Sequence, residues 1–193
     1  MSGGRRRLVV ATRNEHKLAE LRSILEDFEL LPLPAEIELP PEGSESFEAN
    51  ALIKARAAAS ATGADSIADD SGIVAAALGG RPGVHSARYA GEHASDRENL
   101  DKLIAQAPPG SGLRYVCVIA YVDPVGGAEE LVEGTCSGRM AAAPRGERGF
   151  GYDPVFVPDE DDGRAMAQLT DSEKDAISLR GRAARALLAA LQP

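Results

Sequence analysis

Ser66-Ile67-Ala68-Asp69-Asp70-Ser71-Gly72 carries more information than any other stretch of this chain. A short apolar run ends in two adjacent carboxylates and then a Ser-Gly pair, which places the acids where a buried strand meets a loop. Side chains alternate faces along a strand, so Asp69 and Asp70 diverge unless the backbone already turns there, as Gly72 permits. Two acids at such a point repel each other and lose hydration unless a positive group lies between them. A divalent cation with oxygen ligands answers that need, and Mg²⁺ takes one or two carboxylates together with substrate phosphates. An exposed turn answers it as well, because Asp, Ser and Gly are all turn formers. On these residues alone both readings stand.

On the N-terminal side of this stretch, residues 46–62 read as a helix that Gly63 stops. Residues 8–12 read as a short buried strand, followed by a helix capped by Asn14 with Leu18, Leu21, Ile24 and Leu25 on one face. Pro32, Pro34, Pro40 and Pro41 mark an irregular connector between the two helices. On the C-terminal side lie a Gly-rich segment, a helix opened by the capping-box pattern Ser95-Asp96-Arg97-Glu98, and a hairpin of strands 114–122 and 129–136. A Gly-rich run then leads into strand 155–157, and Thr170-Asp171-Ser172-Glu173 opens one C-terminal helix with Ile177, Leu187, Leu188 and Leu191 inward. Mixed helices and strands without repeats give a single α/β domain over residues 8–193, with residues 1–7 as a disordered tail.

Composition narrows the function. The chain has 193 residues, 44% hydrophobic and 26% charged, the balance of an ordinary globular protein. No apolar run approaches the roughly 18–20 residues that span a bilayer. The apolar segment behind Arg5-Arg6-Arg7 is too short for a signal peptide, so a cytoplasmic protein is expected. A net charge of −9 and the absence of Trp argue against a general nucleic-acid binder, which needs a basic field and stacking platforms. Cys117 and Cys136 lack metal-ligand spacing and sit in strand-like runs, as buried thiols of a reducing compartment do. His16, His85 and His93 do not cluster as zinc ligands would.

Four further constellations could carry chemistry. Thr12-Arg13-Asn14-Glu15-His16-Lys17 runs from strand to helix, where free backbone N–H groups favour an anion. It is either a phosphate cradle or an ordinary capped helix with a surface lysine, and no Walker pattern occurs. Glu42, Glu45 and Glu48 precede and open the second helix, which carries Lys54; Glu48 and Lys54 do not share a face. Gly149-Phe150-Gly151-Tyr152-Asp153-Pro154 lets a flat ligand approach the backbone and stack on Phe150, with Asp153 as acceptor, or else forms a tight turn. Lys174 and Ser178 are spaced i,i+4 and Arg180 follows.

Taken together, these segments resemble the inosine triphosphate pyrophosphatase, or Ham1-like, family. The matching pieces, in order, are Ala11 through Lys17, Phe47 through Ala55, Ile67 through Gly72 continuing to Ser86-Ala87-Arg88-Tyr89, Gly149 through Pro154, and Glu173-Lys174 with Ala176-Ile177-Ser178. The resemblance implies an elongated α/β domain with a long central mixed β-sheet, a cleft between two lobes, and a homodimer. It implies Mg²⁺-dependent hydrolysis of non-standard purine nucleoside triphosphates (ITP, dITP, XTP) to monophosphate and pyrophosphate. By the same resemblance Thr12, Arg13, Asn14, Glu15, His16 and Lys17 hold the triphosphate with Lys54, and Ser71 touches substrate. Glu42, in preference to Glu45 or Glu48, and Asp69 and Asp70 attend the metal, with Asp70 as general base. Phe150 stacks on the base among Gly151, Tyr152 and Asp153, while Lys174 and Arg180 reach its 6-oxo group.

Donors aimed at a 6-oxo group are left unpaired opposite adenine's amino group, a mismatch that can be worth about 10⁴–10⁵ in selectivity. Two positions depart from the family pattern. Ser178-Leu179-Arg180-Gly181 has Leu where the family has His, which removes a ring donor near the base. Ala49-Asn50 stands where a Glu-Asn pair is usual. Three rival readings are a non-catalytic nucleotide sensor, a Maf-like pyrophosphatase acting on other bases, and an aspartic protease built on Asp70-Ser71-Gly72. The capped helices speak against the protease.

Overall fold

Four helix starts follow from a single side chain each. In the computed structural model, which describes residues 5–191, Asn14, Ser46, Ser95 and Thr170 each accept a backbone N–H three residues on. They open helices α1 (Glu15–Ile24), α2 (Phe47–Thr62), α3 (Asp96–Gln106) and α4 (Asp171–Ile177). Ser95 with Glu98 and Thr170 with Glu173 close both halves of a capping box. Gly63 ends α2 in the left-handed region at φ 65°. Helix α5 covers Leu179–Leu191.

The strands are β1 (Arg6–Val10), β2 (Phe28–Pro32), β3 (Ser66–Ala75), β4 (Gly112–Val122), β5 (Glu129–Met140) and β6 (Phe156–Pro158). They form one sheet in the order β2-β1-β3-β4-β5-β6. β1 runs parallel to both β2 and β3, and β5 runs antiparallel to β6, so the sheet is mixed. The chain is thus a single α/β fold, as expected. No helix among the described residues is long and apolar enough to cross a membrane.

The chain groups into two compact units. The first comprises Met1–Asp70, Cys117–Gly134 and Arg180–Pro193; the second comprises Ser71–Val116 and Thr135–Leu179. The first has a core of small residues. Ala51, Ala55, Ala58 and Ala59 form one stripe of α2 and pack with Val9, Ala68 and Val118. Methyl-sized side chains bring the helix close to the strands beneath it, which carries Asn50 and Lys54, both buried, to the acids of β3.

Four expectations need correction. β3 does not end at the acids but continues through Ser71 and Gly72 to Ala75. Gly72 is there for space rather than for a turn: a Cβ on it would lie 2.4 Å from Ser86 Oγ and 2.5 Å from the Gly83 carbonyl oxygen. β2 lies inside what reads as a proline-marked connector; it is an edge strand of the sheet, and Pro32, paired with Val10, is its last residue. The C-terminal helix is two helices, because Ser178 is extended (φ −67°, ψ 155°) and donates its N–H to Lys174 O at 2.7 Å to close α4. Residues 1–4 of the expected tail lie outside the described residues, whereas Arg6 and Arg7 begin β1 and Arg6 pairs with Asp65 at 2.7 Å.

Candidate active site

Strand alternation sends the two acids of β3 into different surroundings, without any bend between them. The carboxylate of Asp69 is wholly buried, and its Oδ2 lies 3.0 Å from Lys17 Nζ and 3.0 Å from an Arg180 nitrogen. Burial pushes Asp69 up, but Lys17, Arg180 and Lys54 together hold it well below the usual carboxylate range. Arg180 is itself buried and also pairs with Glu20 of α1. Its guanidinium therefore serves two carboxylates in the first unit, one on β3 and one on the helix that Asn14 caps.

Asp70 faces α2. Its Oδ2 accepts the Asn50 side-chain amide at 2.8 Å, and its Oδ1 lies 4.0 Å from Lys54 Nζ. Lys54 Nζ also donates to Glu42 Oε1 at 2.6 Å and to the Asp69 carbonyl at 2.8 Å. Glu42 thus meets Lys54, which singles it out from Glu45 and Glu48; both of those are exposed. Burial raises the Asp70 carboxyl above its ordinary value; Lys54 opposes the rise and Glu42 adds to it. A buried acid with a raised pKa beside a second carboxylate is the environment of a general base. Asn50 additionally grips Gly43, accepting its N–H at 2.8 Å, and so ties the Glu42 segment to Asp70.

At the start of α1, Asn14 Oδ1 accepts the Lys17 N–H at 3.1 Å and Thr12 Oγ1 accepts the Asn14 N–H at 3.1 Å. Glu15 and His16 are exposed in the first turn. Arg13 turns elsewhere: its guanidinium donates to the carbonyls of Leu33, Pro34 and Ile37 at 2.7–2.8 Å and pins the connector after β2. Cys117 Sγ lies 3.9 Å from Asp69 Oδ2, and burial pushes its thiol up to about 12, which leaves it unreactive.

The second unit holds the aromatic cluster. Ser71 is half-buried in β3. The Phe150 ring is half-buried, with Lys174 Nζ 4.8 Å from its centroid. Asp153, read from the sequence as an acceptor for ligand, is buried and accepts instead from Lys174 Nζ at 2.9 Å, the Phe150 N–H at 3.1 Å and Tyr115 Oη–H at 3.0 Å. Gly149 is required by that carboxylate, since a Cβ there would lie 2.1 Å from Asp153 Oδ2 and φ is +72°. Gly151 donates its N–H to Asp96 and the adjacent Tyr152 its hydroxyl to Ser86 O at 2.7 Å, which ties the middle of the loop to the segments around Asp96 and Ser86.

Asn50, Glu20 and Tyr115 were not read from the sequence as site residues. Asn50 carried the one usable signal, an amide four residues before Lys54 on the buried face of an alanine-rich helix. Among the described residues, no group of three or more His, Cys, Asp or Glu side chains is arranged to hold a metal.

Comparison with known proteins gives these clusters a setting. The chain is 48% identical to the dITP/XTP pyrophosphatase of Mycolicibacterium paratuberculosis over 96% of its own length and 95% of that protein's. It superposes on the solved HAM1 protein from Coxiella burnetii with a TM-score of 0.84 at 40% identity, covering 96% of this chain and 98% of that one. A nucleoside-triphosphatase / dITP/XTP pyrophosphatase from Mycobacterium abscessus matches with a TM-score of 0.75 at 46% identity, over 97% and 100% of the two chains. The Ham1 family model matches residues 8–190, and the chain belongs to the Ham1 family.

Proposed function

We propose that this protein is an enzyme that hydrolyses ITP, dITP and XTP to the monophosphate and pyrophosphate. The observation that carries the proposal is Asp70: buried, raised in pKa, oriented by Asn50, and set with Glu42 around one lysine ammonium. In a chain this similar to named dITP/XTP pyrophosphatases, that carboxylate is the group to take a proton from the attacking water. Water adds to phosphorus, the P–O bond to the pyrophosphate leaving group breaks, and the proton passes to Asp70. Lys54 and the N-terminus of α1 with Lys17 place positive charge where phosphate oxygens need it.

Glu42 and Asp70 fit a hard divalent cation, since both are carboxylates within reach of one ammonium and Glu42 pushes the Asp70 carboxyl up, a repulsion that a cation would relieve. Mg²⁺ held there would withdraw charge from the phosphates. Asp69, the third acid expected near a metal, already holds Lys17 and Arg180. Its role in this proposal is to keep those two cations in place.

Base recognition falls to the second unit's cluster, where Phe150 offers a stacking face and Lys174 a donor for a 6-oxo group. A homodimer accompanies the proposal on the strength of the family resemblance, and a cytoplasmic location on the short apolar segment behind Arg5-Arg6-Arg7 and the cysteine usage.

Asp70→Asn tests it. We expect turnover of ITP to fall by about 10²–10⁴, with ITP binding retained within a few-fold. A variant that turns over ITP within tenfold of the parent would remove Asp70 from the chemistry. A parent that binds ITP without hydrolysing it would make the protein a sensor.

A further inference from the structure

Asp153 divides its two oxygens between different tasks. Oδ2 takes the Lys174 ammonium and the Phe150 backbone N–H, from the two residues whose side chains are proposed to meet the base. Oδ1 takes the hydroxyl of Tyr115, which rises from β4. The Tyr115 ring is packed against Phe156 with centroids 4.3 Å apart. Phe156 in turn lies on Gly138, where a Cβ would come within 2.8 Å of the ring. The ring that carries the hydroxyl is thus held on a rigid strand, and the hydroxyl direction is set by packing.

A carboxylate has a soft torsion about its Cβ–Cγ bond. Two donors on Oδ2 alone leave that torsion free to exchange the oxygens. A third donor on Oδ1, fixed in the sheet, removes this freedom. Burial and the neighbouring Asp153 charge raise the Tyr115 hydroxyl well above its ordinary value, so it remains a donor throughout the working pH range.

We infer that Tyr115 is a positioning residue for base recognition: by holding Asp153 Oδ1 it fixes the carboxylate that aims Lys174 and shapes the Phe150 loop. Tyr115 touches no substrate itself. Nothing in the sequence marks it, because it reads as one more buried aromatic in a strand. The consequence for recognition rests on the reading of Phe150 and Lys174 as base-contacting groups.

Tyr115→Phe keeps the ring on Phe156 and removes only the hydroxyl. Hydrolysis of ITP by Tyr115→Phe, Lys174→Met and the double variant reads the consequence. Tyr115→Phe should raise KM for ITP about tenfold, the scale of one lost hydrogen bond to a charged group, with kcat within about twofold. In the Lys174→Met background the same substitution should change KM by less than about twofold, because the two act through one carboxylate. An equal rise in KM in both backgrounds would overturn the inference.

A second readout needs no nucleotide. The chain has four lysines, so ¹³C-dimethylation resolves the reaction of Lys174 individually, and amide exchange reports Phe150. Both should quicken several-fold in Tyr115→Phe, and unchanged rates would overturn the inference whatever KM does. If both quicken while Lys174→Met leaves KM for ITP unmoved, Tyr115 keeps its positioning role and the base-contacting reading of Lys174 falls.

Discussion

Arg180→Met isolates the buried charge network behind the proposed site. Methionine keeps the apolar bulk of the side chain and deletes the guanidinium that joins Asp69 to Glu20. Removing one partner of a buried ion pair costs about 3–5 kcal/mol. Lys17 remains 3.0 Å from Asp69, so the loss should fall at the lower end. For a chain of this length 1 kcal/mol moves Tm by roughly 2–4 °C, so the variant should melt about 6–12 °C below the parent at pH 7.

The pH dependence of that gap identifies its cause. Asp69 titrates well below the ordinary range in the folded chain. A depressed carboxylate contributes stability that is complete above the unfolded value, about 3.9, and lost as pH falls through the folded one. The gap in Tm between parent and variant should therefore be constant from pH 8 to pH 6 and narrow as pH falls below about 4. Calorimetry or far-UV melts across this range supply the test. A gap that keeps its full size at pH 3 would show that lost packing, not lost charge, destabilises the variant.

Other expectations are simpler to state. Gly72→Ala places a methyl against Ser86 Oγ and the Gly83 carbonyl and should lower stability by about 1–3 kcal/mol; denaturant melts that show less than about 0.5 kcal/mol would mean that the segment around Gly83 and Ser86 yields freely. Because burial raises Asp70 in the metal-free chain, its carboxyl should titrate above the ordinary value of about 3.9 when followed by ¹³C NMR without Mg²⁺. A midpoint at or below about 3.9 would contradict the buried environment on which its assignment as base rests. Leu179 is buried at the first position of α5, and Leu179→His, which restores a ring donor, should sharpen the preference for ITP over ATP in kcat/KM; an unchanged ratio would separate this position from base selection.

What could be read in advance was local. Asn14, Ser46, Ser95 and Thr170 cap their helices through hydrogen bonds three residues long, so the sequence alone locates those starts. Ser71-Gly72 misleads for the opposite reason. Its composition signals a turn, and only the close approach of Ser86 and Gly83 explains a glycine inside a strand. β2 was hidden because Pro32 is tolerated only at the sheet edge, and edge status belongs to the whole sheet.

The site divides in the same way. Asp69, Asp70, Lys17, Lys54 and Phe150 stand out as charges or rings beside strand ends, helix starts and glycines. Their supporting partners lie far off along the chain: Asn50 is 20 residues from Asp70, Tyr115 38 from Asp153, and Glu20 160 from Arg180. No periodicity connects such pairs. Arg13 and Asp153 show the converse, since both look ligand-facing in the sequence and both are engaged within the protein.

The most direct test of the central claim is product identity. Purified protein is incubated with ITP, XTP, dITP, GTP and ATP, with and without Mg²⁺, and pyrophosphate is quantified separately from phosphate. Mg²⁺-dependent pyrophosphate release is expected, fastest with ITP, dITP and XTP, with one monophosphate formed per pyrophosphate. Release of phosphate in place of pyrophosphate, or no turnover of any of the five nucleotides, would contradict it.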